Sequence, residues 1–167
     1  SEQEPNDIIS QATNISASLT DAGEFATSGI IGDNTALENP KLDTDLYQVS
    51  LNSGESIQID VDTNAEVPLD TIIRVFNTSG RELGFNDDRA LQGEQPSADP
   101  SLQFTAPNSG NFYIGISSAA NDQYSPFFAE SGLGSGITGT YQLAVTQNQQ
   151  PQPVQENAES PVNDTLD

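Results

Sequence analysis

Glu2, Glu4, Asn6 and Asp7 crowd three carboxylates and an amide into the first residues of a 167-residue chain. In an extended backbone Glu2, Glu4 and Asn6 project to one side, and Asp7 joins them only if the chain turns there. Pro5 biases Glu4 toward extended geometry, which supports the first half of that arrangement. All four side chains offer hard oxygen donors. Calcium takes about six to eight such oxygens at about 2.3–2.6 Å, so the segment is a partial Ca2+ shell whose remaining ligands must come from elsewhere. Asp43 and Asp45 are the favoured candidates, with Ser28 or a nearby carbonyl filling in. Magnesium fits less well because it prefers fewer protein ligands and keeps its waters. The competing reading is a frayed acidic terminus solvated by water.

A second candidate metal cluster combines Asp70 with Asn86, Asp87 and Asp88, with Asp99 as a possible addition. Adjacent carboxylates repel one another unless cations or donors intervene. The alternative is an Asp-rich turn bonded to its own backbone and paired with Arg74, Arg81 or Arg89. Catalytic sets are scarce. Asp43 with Asp45, or Asp87 with Asp88, would have to flank a glycosidic bond, whereas sequence neighbours usually act on one ion. Lys41, the only lysine, lies in a polar connection with nothing to desolvate it for a Ser-Lys mechanism. The sequence therefore reads as non-enzymatic.

Composition narrows the partners. Twenty-five acidic residues face four basic ones, Lys41, Arg74, Arg81 and Arg89, for a formal charge of -21. Phosphate backbones and anionic lipid surfaces repel such a chain, so nucleic acid is excluded as a partner. Self-repulsion also works against the compact state, which makes bound cations a natural part of the folded form. The chain has no Cys and no His, which removes disulfides, thiolate zinc sites, cysteine nucleophiles and the usual general base. No apolar run reaches membrane-spanning length and no basic-then-apolar leader is present, so no membrane insertion is expected and an export signal would belong to a longer precursor.

The elements that must position these residues are strands. Period-two alternation runs through Tyr47–Leu51 and Ile57–Val61, and Asn52-Ser53-Gly54-Glu55 between them reads as a hairpin turn. The same grammar recurs with Ile73 and Val75 before Thr78-Ser79-Gly80, and with Leu102 and Phe104 before Pro107-Asn108-Ser109-Gly110. Phe112, Ile114 and Ile116 follow, and Tyr141, Leu143 and Val145 close the series. About eight short strands with turn signals between them predict an all-β, two-layer sandwich. Little helix is expected beyond a short turn within Ile8–Leu19. Asp87–Pro100 and Asn121–Gly139 read as long loops. In the second, Tyr124, Phe127 and Phe128 form either a binding anchor or, in the favoured reading, a plug for Phe127 and Phe128 at an open end of the sandwich. Residues 1–22 then form an N-terminal segment with the candidate ligands and 23–147 the sandwich. Residues 148–167 form a Gln/Pro-rich linker. Within that linker Glu159, Asn163 and Asp164 repeat Glu2, Asn6 and Asp7 at one offset of 157, as expected of one period in a tandem array.

With these residues in view the chain resembles the bacterial pre-peptidase C-terminal domain. The most specific stretch is Leu69-Asp70-Thr71-Ile72-Ile73-Arg74-Val75-Phe76, followed by Gly80-Arg81-Glu82-Leu83 and Asn86-Asp87-Asp88. Gly110–Ile114, Gly139–Leu143 and Asp43-Thr44-Asp45-Leu46-Tyr47 resemble the family's other strand starts. The resemblance implies a jelly-roll-like antiparallel β-sandwich and a secreted or cell-surface setting. Glu2, Glu4, Asn6 and Asp7 reproduce the Glu-x-Glu-x-Asn-Asp/Asn calcium segment of the related collagenase collagen-binding domains, while Ser28, Asp43 and Asp45 carry over less securely. The expectation is a non-catalytic, calcium-binding repeat of a large bacterial protein, with neighbouring repeats or domains of the same polypeptide as partners. The alternative is a carbohydrate- or matrix-protein-binding module attached to a secreted enzyme, which would make an extracellular polysaccharide or protein the partner.

Overall fold

The computed structural model describes residues 2–64, 69–88 and 99–148. Nine strands are described: β1 (Thr13–Asn14), β2 (Glu24–Ile31), β3 (Thr44–Leu51), β4 (Ser56–Thr63), β5 (Thr71–Asn77), β6 (Glu82–Asn86), β7 (Ser101–Thr105), β8 (Gly110–Ser118) and β9 (Gly139–Asn148). They form two sheets, β1-β3-β8-β5-β6 and β2-β9-β4-β7. Every pairing is antiparallel except the short parallel contact of β1 with β3. This is the all-β sandwich read from the alternation. Its core is built from the positions that set that period: Tyr47, Val49 and Leu51 of β3, Ile57, Ile59 and Val61 of β4, and Ile114 and Ile116 of β8 pack against Tyr141, Leu143 and Val145 of β9.

Two of the turns behave differently from expectation. The Asn52–Glu55 turn is tight, with Glu55 N–H donating to Asn52 O at 3.0 Å and Gly54 at φ +84°. It nevertheless carries the chain from β3 in one sheet to β4 in the other, and the Pro107–Gly110 turn likewise joins β7 to β8 across the layers. Only the Thr78–Gly80 turn closes a true hairpin, between β5 and β6. Turn chemistry fixes a reversal of direction. Which sheet the next strand enters depends on where its apolar face finds a partner.

Helix is limited. The Ile8–Leu19 region holds a short 3-10 turn at Ile9–Gln11 and the start of α1 (Ser16–Ala22), which ends on Gly23 at φ +75°. No helix among the described residues is long and apolar enough to cross a membrane. Strand β2 escaped the alternation because Ala26-Thr27-Ser28-Gly29 breaks its apolar rhythm. Gly29 is needed there, since a Cβ would lie 2.1 Å from the Tyr141 ring.

The 121–139 loop folds back over the outer face of the first sheet. Tyr124 is buried beside Leu46, Phe76 and Tyr113. The Arg74 guanidinium sits 4.6 and 4.5 Å from the Phe76 and Tyr124 ring centres, donates to Tyr124 O, and pairs with Glu82 at 2.9 Å. Phe127 and Phe128 do not plug the sandwich: they are 45% and 70% exposed. Tyr124 alone of the three aromatics is buried, because it is the one seated over Gly115, where a Cβ would lie 2.1 Å from its hydroxyl.

Candidate metal centre

The N-terminal segment is docked, and three parts of the fold meet it. Its backbone is tied down by Glu2 N–H to Ser28 O at 3.3 Å and by Leu46 N–H to Asn6 O at 3.0 Å. The start of β3 supplies Asp43 and Asp45, and the turn after β2 supplies Gly32, Asp33 and Asn34. One carboxylate oxygen from each of Glu4, Asp7 and Asp43 lies within 4.8 Å of the others, and the same holds for Glu2, Glu4 and Asp33, so Glu4 is common to both groups. Asn6, Asp7, Asp43 and Asp45 are buried.

Each anchor leaves oxygen to spare. Asp43 Oδ2 accepts from the backbone N–H groups of Gly32 and Asp33, at 2.5 and 3.1 Å. Asp7 Oδ2 accepts from Asn34 Nδ2, and the Asp7 carbonyl accepts from the Thr44 hydroxyl at 3.2 Å. The second carboxylate oxygens, Oδ1 of Asp7 and Oδ1 of Asp43, are buried and meet no donor group, and the two carboxyls face each other as a pair that one shared proton would bridge. Burying such an atom unpaired costs about 1–3 kcal/mol, and more when it is charged. The Asn6 amide faces Glu4 Oε1 and Asp45 Oδ1 at 3.1 Å. Turned nitrogen-first it donates to both; turned oxygen-first it faces two acceptors that need a proton or a cation between them.

Two tyrosines brace the cluster from opposite sheets. Tyr47 and Tyr141 meet hydroxyl to hydroxyl at 2.7 Å; Tyr47 donates to Glu2 Oε2 at 2.8 Å and Tyr141 donates to Asp45 Oδ2 at 2.5 Å. Glu2 Oε1 accepts from Ile30 N–H at 2.6 Å.

Among the described residues, no lysine or arginine is ion-paired with Glu2, Glu4, Asp7, Asp33, Asp43 or Asp45. The electrostatics follow. Burial, reinforced by the neighbouring Asp43, Asp7 and Asp33, pushes Glu4 up to about 7. Burial is again the main cause that holds Asp43 up at about 7, with the Gly32 N–H opposing it and Asp7 adding to it. Asp7 and Asp33 are also raised by burial, and Asp45, fully enclosed beside Glu2 and Asp43, is raised well above the carboxylate range. Such a set strongly favours whatever neutralises it, protons or a cation.

The structure thus brings together Glu2, Glu4, Asn6, Asp7, Asp43 and Asp45 of the sequence-derived set. It does not bring in the Ser28 side chain: that hydroxyl is exposed on β2 and donates to Gln142 Oε1 at 3.1 Å, since side chains on a strand alternate and Ser28 lies on the outer face. Asp33 went unread, as did the bracing roles of Asn34, Tyr47 and Tyr141. The Gly32-Asp33-Asn34 run immediately after an unrecognised strand was the only local signal.

At the second cluster one oxygen from each of Asp70, Asp87 and Asp88 falls within 4.8 Å of the others. Burial and then Asp88 raise both Asp70 and Asp87. Asn86 stands opposite Ile73 in the β5–β6 ladder, next to Asp87, and Asp99 accepts from Thr63 N–H and Oγ1. Of the three arginines considered for neutralising the triad, Arg74 is committed to Glu82. Arg89, most of the 87–100 loop, and Glu159, Asn163 and Asp164 lie outside the described residues.

The family model of the bacterial pre-peptidase C-terminal domain matches residues 43–118, a little under half of the chain, and shows the resemblance read from the Leu69–Phe76, Gly80–Leu83 and Asn86–Asp88 motifs. Among solved structures, the pre-peptidase C-terminal domain of a Bacillus anthracis collagenase is similar at 16% identity, covering 87% of this chain and 100% of that one with a TM-score of 0.49. PliG of Aeromonas hydrophila, a periplasmic inhibitor of g-type lysozyme, is similar at 15% identity over 77% of this chain and 90% of that one, TM-score 0.48. No curated protein matches the chain.

Proposed function

We propose that this chain is a non-catalytic, calcium-stabilised β-sandwich module of a secreted or surface bacterial protein. The observation that carries the reading is the pair of buried oxygens on Asp7 and Asp43 that meet no donor group, on two residues whose carboxylates converge with that of Glu4. An all-oxygen donor set in a chain without Cys or His suits a hard divalent ion. Glu2, Glu4, Asn6, Asp7, Asp33, Asp43 and Asp45 would hold it. The ion would supply positive charge where, among the described residues, no basic side chain is ion-paired with the cluster. It would clamp the N-terminal segment to β3 and to the turn after β2, and where modules follow one another it would fix the angle between them. The match over residues 43–118 supports an extracytoplasmic setting and an accessory role. The Asp70, Asp87 and Asp88 triad would act as a weaker second site.

The test is thermal unfolding in excess CaCl2 and in EGTA, with isothermal titration to count sites. A ligand bound only by the native state must raise the midpoint by mass action. Identical midpoints in the two buffers would end this reading.

A second reading has one observation in its favour: Phe127 and Phe128 are exposed on the loop over the first sheet. A carbohydrate- or matrix-protein-binding role would use them as anchors. Glycan-array or matrix-protein binding lost in a Phe127→Ala/Phe128→Ala double variant would support it; no binding by the parent protein would dismiss it.

A further inference from the structure

Strand β2 is the long edge of its sheet, eight residues paired on one side only, to β9. Its even-numbered residues turn their N–H and C=O groups to the free side, as Ile30 N–H and Ser28 C=O demonstrate by bonding to Glu2. Glu2 therefore occupies the upper part of this edge. Below it, Ala26 N–H and C=O and Ser28 N–H have no partner among the described residues. An open row of strand hydrogen-bonding groups is a template for another strand.

Beside that row lies a groove of about 560 Å³ lined by Glu2, Glu4, Gln11, Thr13, Phe25 and Thr27 among others. Its size falls in the range of ligand-holding clefts. Glu2 and Glu4 with the amide side chains of Gln11 and Asn14 form much of its polar wall, Phe25 gives an aromatic face, and among the described residues no lysine or arginine lines it. Glu24 lies on the same strand, and the chain as a whole carries -21.

We propose that the Ala26–Ser28 edge and the adjoining groove receive an extended, basic segment of a partner protein. That segment adds one strand to the β2-β9-β4-β7 sheet. Its backbone bonds Ala26 and Ser28, and alternate side chains enter the groove, where the aliphatic stem of a lysine or arginine covers Phe25 and its cation meets the acceptor wall. Outward-facing basic side chains fall beside Glu24. Charge selects this occupant over a second copy, which would bring the same -21 to the same edge. Strand pairing to Ala26 and Ser28 uses none of the metal-site side chains, whereas the acceptor wall shares Glu2 and Glu4 with the calcium reading, so the peptide's cation is expected to bind more tightly without calcium than with it.

The probe is a capped heptapeptide alternating lysine and valine, titrated at 0.15 M salt, with and without calcium, against the full chain. Its control carries the same charges but N-methyl groups at the central residues, which block strand pairing and leave electrostatics intact. Binding of the plain peptide at least tenfold tighter than the control, with amide shifts concentrated at residues 26–28, is the expected result. Ala26→Pro, which removes a free-edge N–H that the sheet itself does not use, is expected to weaken the plain peptide about as much as N-methylation does. Equal affinity for plain and methylated peptides would overturn the proposal. So would shifts spread over the whole acidic surface, or concentration-dependent self-association through β2 without peptide. If Ala26→Pro misfolds, the methylated control on the parent protein still decides.

Discussion

Replacing Asp43 by asparagine separates the two costs that the N-terminal cluster imposes. In the metal-free fold Asp43 is buried and held at about 7 against an ordinary 3.8. A folded-state value above the unfolded one means that the native state binds the proton more tightly. The associated stability is therefore complete below about pH 4 and is lost as pH rises through about 7. At about 1.4 kcal/mol per pH unit, the interval between 3.8 and about 7 corresponds to roughly 4 kcal/mol of destabilisation at pH 8, an upper figure since water penetration and relaxation reduce it. The amide introduced by Asp43→Asn would keep an acceptor for the Gly32 and Asp33 N–H groups without the charge. Urea unfolding in EGTA at pH 5 and pH 8 is the assay. The parent should lose several kcal/mol between the two, and Asp43→Asn should lose markedly less and match or exceed the parent at pH 8. With calcium the ranking should invert, since the variant lacks a ligand charge and gains little from the ion. A metal-free parent whose stability is flat or rises from pH 5 to pH 8 would refute the reasoning, as would a variant that responds to calcium like the parent.

Other substitutions test other parts. Removing residues 1–7 should remove most of the calcium-dependent increment in the midpoint, leaving only that of the weaker Asp70, Asp87 and Asp88 site, while the far-UV spectrum stays β-rich, because those residues add ligands but no strand. Gly29→Ala should cost about 1–3 kcal/mol in urea unfolding and lower calcium affinity as well, since its Cβ would displace the Tyr141 ring that braces Asp45 and Glu2. Arg74→Met should destabilise by about 1–2 kcal/mol by losing both ring faces and Glu82, with calcium titrations unchanged. Phe128→Ala should leave stability within about 0.5 kcal/mol, as expected for a side chain 70% exposed.

Legibility followed the range of the interactions. Tyr47, Val49, Leu51, Ile57, Ile59 and Val61 announced core strands because alternation is a property of neighbours along the chain. Strand β2 stayed hidden because its demand for Gly29 is set by Tyr141, far away in sequence. The same limit applied to the candidate site. Glu2, Glu4, Asn6 and Asp7 stood out by spacing, whereas Asp33 joins them only because the β2–β9 pairing carries the turn after β2 to the start of β3. Ser28 failed as a side-chain ligand for a related reason: the strand that carries it turns its hydroxyl outward to Gln142. The aromatic loop divided in a way no spacing encodes, with Tyr124 enclosed over Gly115, Phe127 laid against Gly80 with one face open, and Phe128 in solvent.

The amino-acid order alone determined a two-layer β fold, a strongly anionic composition, and a dense set of oxygen donors at the start of the chain. All three follow from composition and short-range periodicity. Tertiary structure decided that two of the tight turns cross between sheets, that Asp7 and Asp43 each retain a buried oxygen that meets no donor group, that two tyrosines from opposite layers lock Glu2 and Asp45, and that one edge of β2 is left open. Those facts depend on which distant segments meet, and burial, pairing and charge repulsion acquire their magnitudes only where they do.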